Sequence, residues 1–207
     1  TGADVGVALR HASVPDGQLP VELRWTARAG TYPLCAATLQ LSSDGGRFRA
    51  IAHPAPRART YDTSLEPGHT YTVRVRTQDC HGLRSAWGSG SFTLRRPAAA
   101  PHVVFGPRWS DAAGVHTATA RGARATVTFT GRDVGIVALR GRGYGAAAVY
   151  LDGERVATLN LHARHPAQRR LVFKTEVASP GQHTLVVRVL DDPAHPAVAI
   201  ESFAVVR

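Results

Sequence analysis

The chain has 207 residues, 43% hydrophobic and 19% charged, enough apolar residues to close one large or two ordinary cores and too many for a disordered segment. Its formal charge of +10 is carried almost wholly by arginine, Lys174 being the sole lysine, and with no methionine the chain reads as a processed or excised piece. No run of eighteen apolar residues occurs, which excludes a membrane-spanning helix, and two cysteines without a CxxC spacing disfavour a zinc cage.

In chain order the first clear strand is Leu19-Pro20-Val21-Glu22-Leu23-Arg24-Trp25, where Val21, Leu23 and Trp25 share one face by the two-residue period. Thr38-Leu39-Gln40-Leu41 predicts another, closed by the turn cluster Ser43-Asp44-Gly45-Gly46 and followed by Phe48 and Ile51. Residues 65–87 say most: a Pro67-Gly68 turn, an alternating strand, and a polar hairpin ending in Trp87. Alternation sends Tyr71, Val73 and Val75 inward and leaves Thr72, Arg74 and Arg76 in water.

Taken in this order, these features resemble a fibronectin type III domain over residues 1–96. Leu65 and Tyr71, on either side of Pro67-Gly68, stand as its tyrosine corner, whose phenol bonds back to the backbone at the turn, and Trp25 as its buried second-strand tryptophan. The resemblance implies a sandwich that presents surfaces or spaces other domains. It also places Cys35 just before the third strand and Cys80 just after the sixth, at one end of two neighbouring antiparallel strands. A Cys35–Cys80 disulfide is therefore expected, and with it a location outside the cytoplasm, extracellular or associated with the cell surface.

Arg95-Arg96-Pro97-Ala98-Ala99-Ala100-Pro101-His102 breaks the strand pattern with two prolines, so residues 97–102 are expected to be a short, stiff linker between two domains. Beyond it, residues 125–130 alternate, residues 134–139 form a continuous apolar run suited to a strand buried on both faces, and Asp152-Gly153 joins two runs as a hairpin. Residues 171–173, 183–190 and 198–206 supply further strands. The expected fold class is all-β, two β-sandwich domains.

The run GARATVTFTGRDVGIVALRGRGYGAAAVYLDGERVATLNL, with RRLVFKTEVASPGQHTLVVRVL and IESFAVV after it, is similar to the galactose-binding-like jelly rolls appended to secreted actinobacterial proteins, and more loosely to carbohydrate-binding modules, over residues 103–207. The resemblance implies a noncatalytic module that contacts a glycan or an anionic cell-surface polymer. A sugar site needs an aromatic platform with polar partners, which singles out Trp109, Tyr144 and Tyr150. Tyr144 lies in Arg140-Gly141-Arg142-Gly143-Tyr144-Gly145, a glycine-rich loop with two arginines, which makes Arg140, Arg142 and Tyr144 the leading candidates. That tyrosine is equally suited to covering the sandwich end, and Trp109 to core or edge packing.

His162 is a further candidate; His162 and His165 stand three apart, but Pro166 argues for a loop without a third metal ligand. Asp191-Asp192-Pro193 reads as an acidic turn, the alternative being a structural calcium site with Glu201. No carboxylate pair, GxSxG elbow, P-loop or dinucleotide fingerprint is recognisable, so no catalytic residue, metal or cofactor is assigned. The basic surface attracts polyanions generally; nucleic acid is disfavoured because no nucleic-acid fold with interleaved aromatics is visible. The competing reading is a structural or adhesive unit joining neighbouring surface proteins.

Overall fold

The computed structural model describes residues 4–27, 30, 32–97, 102–179 and 181–207. Their regular structure is β-strand apart from one 3-10 turn, Pro15–Gly17, and the chain is all-β, of β-sandwich type. By packing it divides into two compact units, the first drawn from residues 4–8 and Val21–Leu94, the second from Leu9–Pro20 and Arg95–Arg207. This is not a single break at residues 97–102, because Leu9–Pro20 belongs with the second unit. Residues 98–101 of the expected linker lie outside the described residues.

The first unit contains β2 (Leu19–Trp25) and β5 (Thr60–Leu65), ordered with β1 (Val5–Leu9) as β1-β2-β5. Its other strands are β3 (Leu34–Ser43), β4 (Arg49–Ala52), β6 (Thr70–Asp79) and β7 (Gly88–Arg95), ordered β7-β6-β3-β4. The period-two reading of β6 holds: Tyr71, Val73 and Val75 are buried with Val21, Leu23, Trp25 and Leu39, while Thr72, Arg74 and Arg76 face outward. The Tyr71 phenol donates to the Glu66 carbonyl at 2.9 Å and its ring packs on Phe92, which fixes how β6 leaves the Pro67-Gly68 turn. Cys35 and Cys80 are bonded with Cα atoms 4.9 Å apart, at a register shift between β3 and β6. Closing a loop with a sequence separation of 45 contributes about 4 kcal/mol in the chain-entropy account.

In the second unit one sheet is ordered β14-β13-β16-β11-β8, from β8 (Val103–Phe105), β11 (Arg124–Thr130), β13 (Ala146–Leu151), β14 (Glu154–Asn160) and β16 (Gln182–Val189). The other is ordered β15-β12-β17, from β12 (Asp133–Arg140), β15 (Gln168–Glu176) and β17 (Val198–Val206). Two short strands the sequence pattern does not reveal, β9 (Ser110–Ala112) and β10 (Val115–Ala118), extend it beyond β17. Val127, Ile136, Val149, Leu185 and Phe203 fill the core of the unit. The β13–β14 hairpin turns on Asp152 (φ 50) and Gly153 (φ 89), the two positive values that a type I′ turn requires.

The continuous apolar run of β12 has a physical cause in Leu9–Pro20, which covers its outer side. The backbone N–H of Leu9 donates to the buried Asp133 carboxylate at 2.6 Å, that of Leu171 to the Ala12 carbonyl, and that of Val14 to the Arg169 carbonyl. A Cβ on Gly135 would sit 3.0 Å from Leu9 Cδ1 and 2.9 Å from the Phe173 carbonyl, so the glycine lets this segment lie close. An irregularity in the β12–β17 register sets Glu201 and Ser202 beside Arg96, whose guanidinium pairs with Glu201 at 2.7 Å and bonds Ser202 Oγ and the Gly17 carbonyl.

Candidate functional site

Strand direction brings separate loops of the second unit together. β13 begins where β14 and β16 end, Ala146 lying opposite Asn160 and Ala147 opposite Val189, while Arg140 at the end of β12 lies opposite Gln168 at the start of β15. The loops at residues 141–145, 161–167 and 190–197 therefore share one end of the sandwich. Backbone bonds tie them: the Gly145 N–H donates to the Ala197 carbonyl, the Leu161 N–H to the Gly145 carbonyl, and the Ala163 N–H to the Gly141 carbonyl. Two glycines make the approach possible. A Cβ on Gly145 would collide with the His195 carbonyl oxygen, and one on Gly141 would lie 2.7 Å from Ala167 Cα.

Arg142 is exposed and its Nε donates to the Arg164 carbonyl at 2.6 Å, which joins the first two loops. His162 Nδ1 lies 3.1 Å from the Arg142 carbonyl; a carbonyl only accepts, so Nδ1 carries the proton and Nε2 is left for a ligand. The His162 ring lies against that of His195, tilted by 38° with centroids 3.9 Å apart, and the Asp192 carboxylate holds the His195 backbone N–H at 3.1 Å. The structure thus gathers Arg142, Tyr144 and His162 from the sequence candidates and adds Asp192, read from the sequence as part of an acidic turn, and His195, which the sequence reading did not single out. Strand direction was the available signal, since the exit of β16 must land beside the entry of β13.

Of the gathered residues Tyr144 does not stand free, and the other candidates are placed differently. Tyr144 is half-buried, its ring packed against the core beneath the loop rather than standing free. Arg140 ends β12 in the ladder with β15. Trp109 packs against the core edge-on to Phe105, at 5.4 Å between centroids, and its indole N–H is buried without a hydrogen-bond partner, so it offers no platform. Tyr150 is half-buried within β13. His165 bonds the Pro166 carbonyl instead of joining His162, and Glu201 is held by Arg96 and Arg169, away from the acidic turn. Among the described residues no three His, Cys, Asp or Glu side chains are grouped to hold a metal ion, and no helix is long and apolar enough to cross a membrane.

The shifts in titration lie elsewhere: burial raises the pKa of the Tyr71 phenol, and the others fall in two matching Asp–His pairs. The backbone N–H of Thr70 and the His69 ring lower the pKa of Asp44, which in turn raises that of His69. The backbone N–H of Thr184 and the His183 ring lower that of Asp152, while Asp152 and the Ser179 carbonyl raise that of His183.

No protein family and no curated protein matches this chain. Solved structures similar to it include a family two carbohydrate esterase from Cellvibrio japonicus, at 14% identity and TM-score 0.43, covering 56% of this chain and 33% of the esterase. A CBM36-1 domain of a multidomain xylanase from the hindgut metagenome of Trinervitermes trinervoides matches at 10% identity and TM-score 0.41, over 55% of this chain and 94% of that domain. An α-L-rhamnosidase from Aspergillus terreus matches at 15% identity and TM-score 0.39, over 99% of this chain but 27% of the enzyme. Likeness at this level carries no argument about function. What the site can do follows from its own groups: a guanidinium donor and an imidazole nitrogen that accepts, beside a half-buried ring.

Proposed function

We propose that the chain is a noncatalytic extracellular accessory module, a fibronectin type III-like spacer followed by a galactose-binding-like jelly roll whose loop end contacts a glycan or another cell-surface polymer. The observation that carries this reading is the convergence of Arg142, His162 and His195 on one loop-built surface, where the His162 tautomer leaves Nε2 as an acceptor. Such a surface offers hydrogen bonds to hydroxyls and a charged fork for carboxylate or phosphate oxygens. The edge of the Tyr144 ring adds an apolar flank. Export is supported by the Cys35–Cys80 bond, which persists in oxidising surroundings.

An alternative role in protein adhesion draws on a different place. At the disulfide end of the first unit Tyr32 and Leu83 are 45% and 74% exposed, and Tyr32 stacks on His81. Two large apolar groups on the neighbouring β2–β3 and β6–β7 loops suit a protein neighbour.

A glycan array probed at two salt concentrations separates these readings. A sugar site keeps its selectivity when salt screens simple attraction. Arg142→Gln together with His162→Ala should weaken the selected glycan by about 1–3 kcal/mol with the fold unchanged. Uniform loss of all binding at high salt, or no effect of the double substitution, would count against the site.

A further inference from the structure

We propose that the outward face of β3, β6 and β7 is a second binding surface, which takes an acidic polysaccharide through two arginines held in a stack with aromatic rings. Arg74 and Arg76 stand two residues apart on β6, hence on one face and roughly 6–7 Å apart along the strand. The Arg74 guanidinium lies 3.8 Å from the centre of the Phe48 ring and 4.3 Å from that of Trp87, and the Arg76 guanidinium lies 4.5 Å from Trp87. Gln40, opposite on β3, accepts from Arg74 Nε at 2.8 Å.

These contacts fix long side chains that would otherwise lose rotamer freedom on binding. They leave the charge unneutralised. Among the described residues neither guanidinium has a carboxylate partner, and the positions facing outward beside them, Thr38, Gln40, Thr72, Ser89 and Ser91, carry no acid. Two ordered, unpaired forks match oxyanions repeated along a polymer. Next to them run the cross-strand hydroxyl pairs Thr72–Ser91 and Thr70–Thr93, both 2.9 Å, which can exchange hydrogen bonds with sugar hydroxyls.

The stack also discriminates among polyanions. Single-stranded nucleic acid is held by bases lying on free aromatic faces. Here Trp87 carries two guanidiniums and Phe48 one, so the rings order the arginines and do not receive bases. The fitting partner is a carboxylate- or sulfate-bearing polysaccharide.

The test uses the whole chain with polygalacturonate as the probe, dextran as the neutral control, and a single-stranded oligonucleotide of equal charge as competitor. Polygalacturonate should bind and dextran should not, and titration should move the Trp87 indole N–H resonance. Arg74→Gln with Arg76→Gln should weaken binding at low salt about tenfold or more and reduce the slope of log affinity against log salt by about one for each arginine removed. Should the pair of substitutions unfold the unit, Arg76→Gln alone, which removes no hydrogen bond, should give half that change in slope. Unchanged affinity in these variants, an unmoved Trp87 resonance, or displacement of polygalacturonate by the oligonucleotide would overturn the proposal.

Discussion

Asp44 and Asp152 perform the same task in the two units. Each starts a turn with positive φ, 50° in both cases, and is followed by a glycine; each receives a backbone N–H from a threonine and a ring nitrogen from the histidine just before it. Asp-Gly with Pro-Gly-His-Thr in one unit, and Asp-Gly with Pro-Gly-Gln-His-Thr in the other, is a repeat legible in the sequence. His183 shows why the pair is charged: Nδ1 faces a carboxylate and Nε2 a carbonyl, both acceptors, so both nitrogens carry protons. A histidine pKa raised above 6.5 on folding gives stability that is complete below 6.5 and is lost as pH rises through the folded value. An aspartate pKa lowered below 3.8 gives stability that is complete above 3.8 and is lost as pH falls through the folded value. Both contributions are therefore complete between these limits. Asp152→Asn should lower the thermal midpoint most between pH 4 and 6 and least at pH 9, measured as the difference from the parent chain; a difference independent of pH would mean that the pair stays uncharged.

At the scale of elements, strands were legible where apolar and polar residues alternated over a long run, as in β6 and β11; β9 and β10 carried too little pattern in three or four residues, and β1 and β5 also went unread. The candidate site was legible in part. Arg142 and Tyr144 announce themselves by a glycine-rich loop, but which loops meet is a matter of strand direction, and His195 entered only with the topology. The partial withdrawal of Tyr144 onto the core depends on a bridge with Ala197 that no local pattern shows. The glycines that permit the meeting make it testable. Gly145→Ala drives a methyl into the His195 carbonyl, so the loops at residues 141–145 and 190–197 must part. The expected cost is about 1–3 kcal/mol by urea unfolding, and the proposed glycan contact at this end should be lost even where the variant remains folded. Retained stability and binding would show that the loops meet more loosely than this.

Over the whole chain, the sequence order and the packing order differ at one segment. Leu9–Pro20 precedes most of the first unit in sequence, yet its backbone bonds run to Arg169, Leu171 and Asp133. The break at residues 97–102 was visible because prolines interrupt a strand pattern; the return of an earlier segment to a later unit was not, since its few apolar residues suit either core. Arg96 strengthens the tie, linking the Gly17 carbonyl to the Glu201 carboxylate. A fragment of residues 103–207 would therefore bare the outer side of β12 and leave Glu201 with Arg169 alone, at 3.2 Å. Losing one partner of a largely buried charge costs more than the pair contributes. This fragment should unfold at a lower urea concentration than the same unit in the full chain, and a peptide of residues 9–20 added in excess should raise its midpoint. Equal midpoints with and without the peptide, matching the full chain, would show that residues 103–207 are self-sufficient and that the segment is only a passenger.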